Sequence, residues 1–314
     1  MGAVDNVLSS LFMVGVSKGF FLKHGMDVEL KLFKSGQELA KALASGDIQF
    51  GTSAVNNFQT ELQAGIRNVA FMSIMGDNAS LTADTPLAIV AAPGSGITKP
   101  ADLKGKTIGL SLGGTAELYL RQVLKKAGLR AEDVKMVQVP PANSVTAIKT
   151  KQVDALSLWE PWQTQVLREV PGSVEVVRGG GYLGYIIFGL TKEETFRQRP
   201  DLVKKVVIGF AETAAWVRQN PDEAGAVVAT WISGLDPKIA GEAMRNVPFD
   251  IRITNFTKEV WDSSNQMLIE QGKLNAPVPM EGHFDTTVLR EVVEEHPEWF
   301  SDLKSAELLD LKLP

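Results

Sequence analysis

Three stretches of this 314-residue chain place glycines and hydroxyl side chains where a strand-like run gives way to a helix-like one: Ser35-Gly36-Gln37, Gly51-Thr52-Ser53-Ala54 and Ser111-Leu112-Gly113-Gly114-Thr115-Ala116. Such junctions suit anion binding. The first N–H groups of a helix have no partner within it, and the aligned peptide dipoles give that end roughly half a positive charge. Glycine lets the backbone approach closely, and the hydroxyls of Ser53 and Thr115 add donors, so a small oxyanion can be held without Lys or Arg. The competing reading of each junction is an ordinary cap, with Thr115 capping the helix that runs to Lys126. A fourth group, Trp159-Glu160-Pro161, ends the strand-like run Val153–Leu158. It reads either as an aromatic wall with a carboxylate at a cleft, or as a packed tryptophan followed by an acidic helix start. A Glu160 facing the cleft would repel a bare anion and favour a ligand that also carries an amine or neutral polar end.

The elements that must position these residues alternate regularly. Strand-like Asp27–Phe33, Asp47–Gly51 and Val69–Met75 flank helix-like Gln37–Ala44 and Ala54–Ala64. A second round runs through the strands Leu87–Ala92, Thr107–Leu112, Val134–Val139, Val153–Leu158, Val174–Val177 and Tyr182–Leu190. Its helices are Thr115–Lys126, Ser144–Lys151 and Glu160–Arg168. After Thr191 only helices are expected: Asp201–Gln219, Asp222–Ile232, Pro237–Met244, Lys258–Gln271 and Thr286–Glu295. Strands alternating with helices across short connections predict parallel sheets covered by helices, here as two α/β lobes. In open α/β sheets ligands sit beyond the carboxyl ends of the strands, which is where the three junctions fall.

Composition removes whole classes of function. Hydrophobic residues at 44% and charged residues at 22% are those of an ordinary globular chain. The net charge is −5, without a Lys/Arg cluster of five or more, so a surface that neutralises nucleic-acid phosphates is not expected. There is no cysteine, which excludes thiol nucleophiles, thiolate-bound metals and disulfides. The three histidines, His24, His283 and His296, are scattered, so neither a histidine-built metal site nor a Ser-His-Asp triad is expected. No cofactor or metal is implied. No apolar run reaches the ~18 residues of a membrane span. Val7–Val16 lacks a basic stretch before it and a cleavage site after it, and reads as a helix with Leu8, Leu11, Phe12, Gly15 and Val16 on one face. An export signal, if the natural protein carries one, is outside this sequence.

A set of short motifs then resembles one family. Lys18-Gly19-Phe20-Phe21 followed by His24-Gly25-Met26-Asp27-Val28-Glu29-Leu30 is similar to the opening of the nitrate, sulfonate and taurine substrate-binding proteins of ABC transporters. In the same order come Ala44–Gly51, Ile97–Gly109, Gly128-Leu129, Val153-Asp154-Ala155, Trp159-Glu160-Pro161, Arg199–Val203 and Asn220–Ala224. The resemblance implies a type II periplasmic binding protein fold, two α/β lobes with a central cleft and two crossover strands near Asp84–Leu87 and Gly184–Phe188. Lobe one would be residues 1–85 plus 187–314, and lobe two 86–186. The family usually has a full strand before the Lys18-Gly19 helix, whereas this chain begins Gly2-Ala3-Val4.

The family also places a ligand wall at the start of the first helix, here Ser9, Ser10, Leu11 and Phe12. The expected ligand-binding residues are therefore Ser10, Leu11, Gln37, Ser53, Ala54, Gly113, Gly114, Thr115, Trp159 and Glu160. Phe58, Asn56, Asn78, Asn143 and Tyr182 are lesser candidates, Phe58 also reading as core; Trp216, Trp231 and Trp261 are expected in the core. The function implied is capture of a small organic anion, sulfonate- or taurine-like or an aromatic acid, by a periplasmic monomer that serves an inner-membrane ABC permease without catalysing a reaction. Two alternatives stand beside it: a lyase or dehydratase working without cysteine on the same fold, and a binder of a pyrimidine-type ligand.

Overall fold

The computed structural model describes residues 1–80 and 83–314. Its strands are β1 (Gly2–Val4), β2 (Lys31–Phe33), β3 (Phe50–Ala54), β4 (Asn68–Met75), β5 (Leu87–Ala91), β6 (Thr107–Leu110), β7 (Lys135–Gln138), β8 (Ala155–Trp159), β9 (Val174–Arg178) and β10 (Ile187–Lys192). They form the sheets β1-β2, β3-β10-β4 and β7-β6-β8-β5-β9. The five-stranded sheet thus takes one continuous stretch of chain, and the chain crosses between sheets after β4 and again after β9. Every residue of β4 and of β5 is buried, as their largely apolar sequences suit, with Asn68 and Ser73 the polar exceptions in β4. From Pro200 onward helices close the side of the smaller sheets, led by Pro200–Gln219, which packs on Ser10–Ser17 and Thr287–Glu295.

The β1-β2 sheet is parallel, but the two larger sheets carry antiparallel pairs, which corrects the expectation of parallel ones. β6 runs parallel to β7 and β8, but β5 is antiparallel to β8 and β9, and β10 is antiparallel to β3 and β4. The exceptions, β5 and β10, are the strands that follow the two crossings. Each enters its sheet from the side where its neighbours end, so it must run against them. Local differences have equally local causes. Only Lys31–Phe33 of the expected Asp27–Phe33 strand forms, because its partner β1 offers three residues, paired Gly2 to Lys31 through Val4 to Phe33. The strand expected at Asp47–Gly51 forms at Phe50–Ala54, so Gly51-Thr52-Ser53 is strand and the helix starts at Val55. Glu160 does not begin a helix, which starts at Trp162, and an unexpected helix occupies Glu193–Gln198.

The expected strand Tyr182–Leu190 begins only at Ile187. The preceding backbone is committed elsewhere. The fully buried carboxylate of Asp84, on the first crossing, accepts hydrogen bonds from the N–H groups of Gly181 (3.0 Å), Tyr182 (2.8 Å) and Leu183 (3.1 Å) on the second. Gly179, Gly180 and Gly181 turn those amides toward one point with φ of 51°, 100° and 72°, a left-handed region that side chains disfavour. At Gly179 a Cβ would also stand 3.1 Å from the Thr85 Cα. Asp84→Ala removes the acceptor of all three amides. It is expected to lower unfolding free energy by about 2–3 kcal/mol in a urea titration. A loss below about 0.5 kcal/mol, the level of an ordinary surface change, would show that the glycine turn holds itself.

Candidate ligand site

A cavity of about 380 Å³ lies at the carboxyl ends of the strands, with Val4 closing β1, Thr52, Ser53 and Ala54 closing β3, Ser111 just past β6 and Trp159 closing β8. Four helices start at its wall. Ser9, Ser35, Ala54 and Gly114 are the residues that precede the helices Ser10–Ser17, Gly36–Ser45, Val55–Gln63 and Thr115–Lys126, and all four line the cavity. The Ser35 hydroxyl accepts from the Glu38 N–H; the Ser10–Ser17 helix continues a tighter turn, Val7–Ser9, whose start Asn6 caps by accepting from the Leu8 N–H, and no side chain caps the other two. The four positive ends therefore converge on one space, where the Ser10, Val55 and Gly113 N–H groups are already engaged by the Val7 and Ile186 carbonyls and by Glu117, and the remaining first-turn donors face a ligand. Among the described residues the one charged side chain in the wall is Lys34, at the edge and paired with Asp5.

Hydroxyl and amide groups supplement the helix ends. Thr52, Ser53 and Thr115 are all more than nine-tenths buried, and Asn6, Gln37 and Asn57 share the wall. Thr115 Oγ1 donates to Asn56 Oδ1 at 3.3 Å, and Asn56 Nδ2 donates to Asn57 Oδ1 at 2.9 Å. That chain links the helix after β6 to the helix after β3 across the cavity. The remaining wall is apolar: Leu8, Leu112, Pro141, Trp159, Tyr185 and Ile187. Burial pushes the Tyr185 phenol far above its ordinary range against a hydrogen bond with Thr115, so it stays neutral. The arrangement can hold an anionic head among N–H and O–H donors and an apolar body against Trp159.

Of the residues expected from sequence, Gln37, Ser53, Ala54, Gly113, Gly114, Thr115 and Trp159 line this cavity. Ser10, Leu11 and Glu160 lie outside it. Ser10 is wholly buried; its hydroxyl donates to the Val7 carbonyl and lies 3.0 Å from the Met244 sulfur, while Leu11 packs in the core. Ser9, one residue earlier, reaches the wall instead. Glu160 follows Trp159 but points away: Oε1 accepts from Arg178 (2.5 Å), Asn246 (2.7 Å) and Thr164 (2.9 Å), and no atom of it is exposed. Glu160 therefore does not stand where it would repel an anion in the cavity. Thr115 is the first helical residue and Gly114 its cap, since the hydroxyl is turned to Asn56.

Phe58 packs on Phe188, Trp261 and Phe284, and Asn78 binds the Asp250 carbonyl and Thr257. Asn143 is exposed and Tyr182 meets Tyr119 edge to face, both off the cavity. Trp261 is buried, whereas Trp216 and Trp231 are half-buried. Asn6, Lys34, Asn57, Pro141 and Tyr185 were not found from sequence. Asn57 had a usable signal, a polar residue in the first turn of the helix that follows the Gly51–Ala54 junction; Tyr185 had none, because it sits in the segment expected as strand.

A clamp of two α/β lobes joined by two crossings, with helix starts gathered round a cavity between them, defines the class: this is a type II periplasmic binding protein fold. Residues 7–224 match the NMT1/THI5-like family, and the chain belongs to it. A Brucella abortus protein named only for binding is 26% identical over 71% of this chain and 68% of its own length. A Bacillus subtilis protein named for aliphatic sulfonates is 24% identical over 93% of this chain and 87% of its own. Other relatives are named for taurine and for nitrate or nitrite. Among solved structures, the alkanesulfonate-binding protein SsuA of Xanthomonas axonopodis bound to MOPS superposes with a TM-score of 0.76 at 20% identity, covering 91% of this chain and 97% of that one. The desulfurization enzyme DSZB shares the fold at a TM-score of 0.68 and 18% identity, covering 94% and 99%. No helix among the described residues is long and apolar enough to cross a membrane.

Behind Ser53 lies one titratable group with an unusual setting. Burial raises the Glu61 carboxyl from its ordinary 4.5 to about 7, against a hydrogen bond from the Ser53 hydroxyl. A carboxyl raised on folding holds a proton that the unfolded chain releases, so its contribution to stability is complete below about pH 4.5 and is lost as pH rises to about 7. The amplitude is up to about 3 kcal/mol. Glu61→Gln is expected to be more stable than the parent at pH 8 and to close that gap near pH 5 in urea titrations; equal differences at both pH values would place Glu61 in water.

Proposed function

We propose that this chain is the solute-binding component of an ABC importer that holds a small organic anion, a sulfonate or a closely similar acid, in the 380 Å³ cavity. One observation carries the reading: four helix starts, two of them without a side-chain cap, converge on a space whose other side is apolar. The helix ends and hydroxyls take the oxyanion, and Trp159, Leu8, Leu112 and Tyr185 take the carbon skeleton. The volume falls within the ~300–1,000 Å³ of small-molecule sites. Nitrate would leave the apolar wall unmet, and a neutral pyrimidine would leave the helix ends without a charge.

Capture without chemistry fits the wall, which among the described residues includes no His, Asp or Glu; the carboxyl that meets a wall hydroxyl, Glu61 at Ser53, lies behind it. DSZB has been solved as a cysteine-to-serine mutant with biphenyl-2-sulfinic acid, and this chain has no cysteine. The protein would act in the periplasm as a monomer and deliver its closed form to an inner-membrane permease. Expected residues Gln37, Ser53, Ala54, Gly113, Gly114, Thr115 and Trp159 would contact the ligand.

The test is a thermal-shift screen of unfolded and refolded, ligand-free protein against alkanesulfonates, taurine, nitrate, benzoates and aminopyrimidines. A sulfonate at a hundred times its Kd should add about 2.7 kcal/mol of stability. Thr115→Ala and Ser53→Ala should each weaken it tenfold or more, about 1.4 kcal/mol. A response only to aminopyrimidines, or none, would overturn the reading. Small-angle scattering gives a separate check: closure on butanesulfonate should lower the radius of gyration, and superimposable curves would mean that the lobes do not move.

A further inference from the structure

We infer that Glu61 takes up a proton when the anion binds and that Ser53 carries the effect to the cavity, so that the ligand and one proton are bound together. This rests on the anion-binding reading of the same cavity. A serine hydroxyl has one proton and two lone pairs. Here Ser53, in the cavity wall, donates that proton to Glu61 Oε1 at 2.9 Å. The side that Ser53 can turn to a ligand is then lone pairs, the wrong polarity for an oxyanion. Glu61 Oε2 is buried without a hydrogen-bond partner, as befits an oxygen with a place for a proton. With Glu61 protonated, its O–H donates to Ser53 Oγ and the Ser53 proton is released to the anion. The proton comes from solvent, and no covalent bond between heavy atoms changes. With Glu61 ionised, a second negative charge would sit one hydroxyl away from the ligand, and like charges at that range disfavour each other.

Among the described residues the surroundings offer Glu61 no counter-charge. β3 contributes Ser53. The helix Gly36–Ser45, packed on β3, carries Glu38, whose carboxylate accepts the Lys34 N–H at 3.1 Å, and Lys41, which is exposed. β10, beside β3, ends at Lys192, near Gly46. The helix Asn255–Glu270 meets the other side of the Val55–Gln63 helix through Ser264 and Gln59. Lys273 follows beyond Gln63 and acts on Glu117, itself paired with Arg121, and Arg67 is exposed. Burial and the Ser53 hydrogen bond are the influences on this carboxyl.

Butanesulfonate is the probe, since it stays ionised throughout the range and any pH dependence then belongs to the protein. Calorimetry in two buffers of different ionisation enthalpy should show uptake of about one proton at pH 8, and Kd should rise by up to about tenfold per pH unit above neutrality. Glu61→Gln, whose amide can donate to Ser53 permanently, should bind at pH 8 about as tightly as the parent does at pH 6, with no slope. Ser53→Ala should bind weakly at every pH and also lose the slope, which keeps the test open if Glu61→Gln fails to fold. A flat Kd in the parent, or a slope that survives in Glu61→Gln, overturns the inference. If butanesulfonate fails to bind at any pH, the sulfonate reading falls by itself, and the relay is judged on free protein with ¹³C-labelled glutamate. A Glu61 carboxyl titrating below about pH 5 overturns it; one near neutrality that moves upward in Ser53→Ala supports it.

Discussion

The structure depends on one carboxylate. Asp84 lies on the first passage between the sheets, and the three amides it binds lie on the second. Without that tie the two crossings would be independent tethers, and the smaller sheets could face the five-stranded sheet at any distance. With it, both crossings leave from one point, and the strands that follow them, β5 and β10, must enter their sheets from the side where the neighbouring strands end. Their antiparallel pairing is the imprint of that entry. The same geometry turns the carboxyl ends of β3, β6 and β8 toward a common space, so the cavity follows from the hinge.

Once strand ends face each other, helix starts must too, because each helix begins where its strand stops. Four such ends at one cavity make an electropositive space from backbone alone. A rigid array of dipoles loses nothing to side-chain ordering when a ligand arrives, unlike lysine or arginine side chains. It also leaves a weakness: dipole ends hold an anion only so long as no unneutralised carboxylate competes, and Glu61 stands behind Ser53 without a cation.

Much of this was legible in the sequence, for physical reasons. The helix Thr115–Lys126 and the buried β4 and β5 were readable because apolar periodicity there has one solution. The glycine-rich junctions pointed to the cavity because strand-to-helix turns need glycine wherever a ligand approaches. Failures cluster where a distant residue decides. Tyr182–Ile186 has strand composition, but its first two amides are taken by a carboxylate about a hundred residues away. The β3 boundary slipped by three residues because pairing with β10, not local composition, sets its register. Glu160 was misplaced for the same reason, since neighbouring strand-end residues point to opposite faces and sequence does not say which faces the cleft.

Where Glu160 does point shows a second constraint on the clamp. Burying a carboxylate raises its proton affinity, and Arg178, Thr164 and Asn246 together oppose that. Buried ion pairs add little net stability, because desolvation consumes most of the attraction. What they do impose is geometry: a buried Oε1 that accepts three donors tolerates little displacement of any of them. Two of those donors lie, like Glu160, in the stretch of chain that builds the five-stranded sheet, but Asn246 follows the tail helix Pro237–Met244, and that helix also reaches Arg168 through Glu242 at 2.6 Å. Any motion that opens the cavity must therefore either carry Asn246 along with Glu160 or strip a buried carboxylate of one of its three donors. The costs of the two routes are unequal, so the helix Trp162–Glu169 and the tail helix should travel as one body, with opening confined to the side where Thr115 meets Asn56 at 3.3 Å.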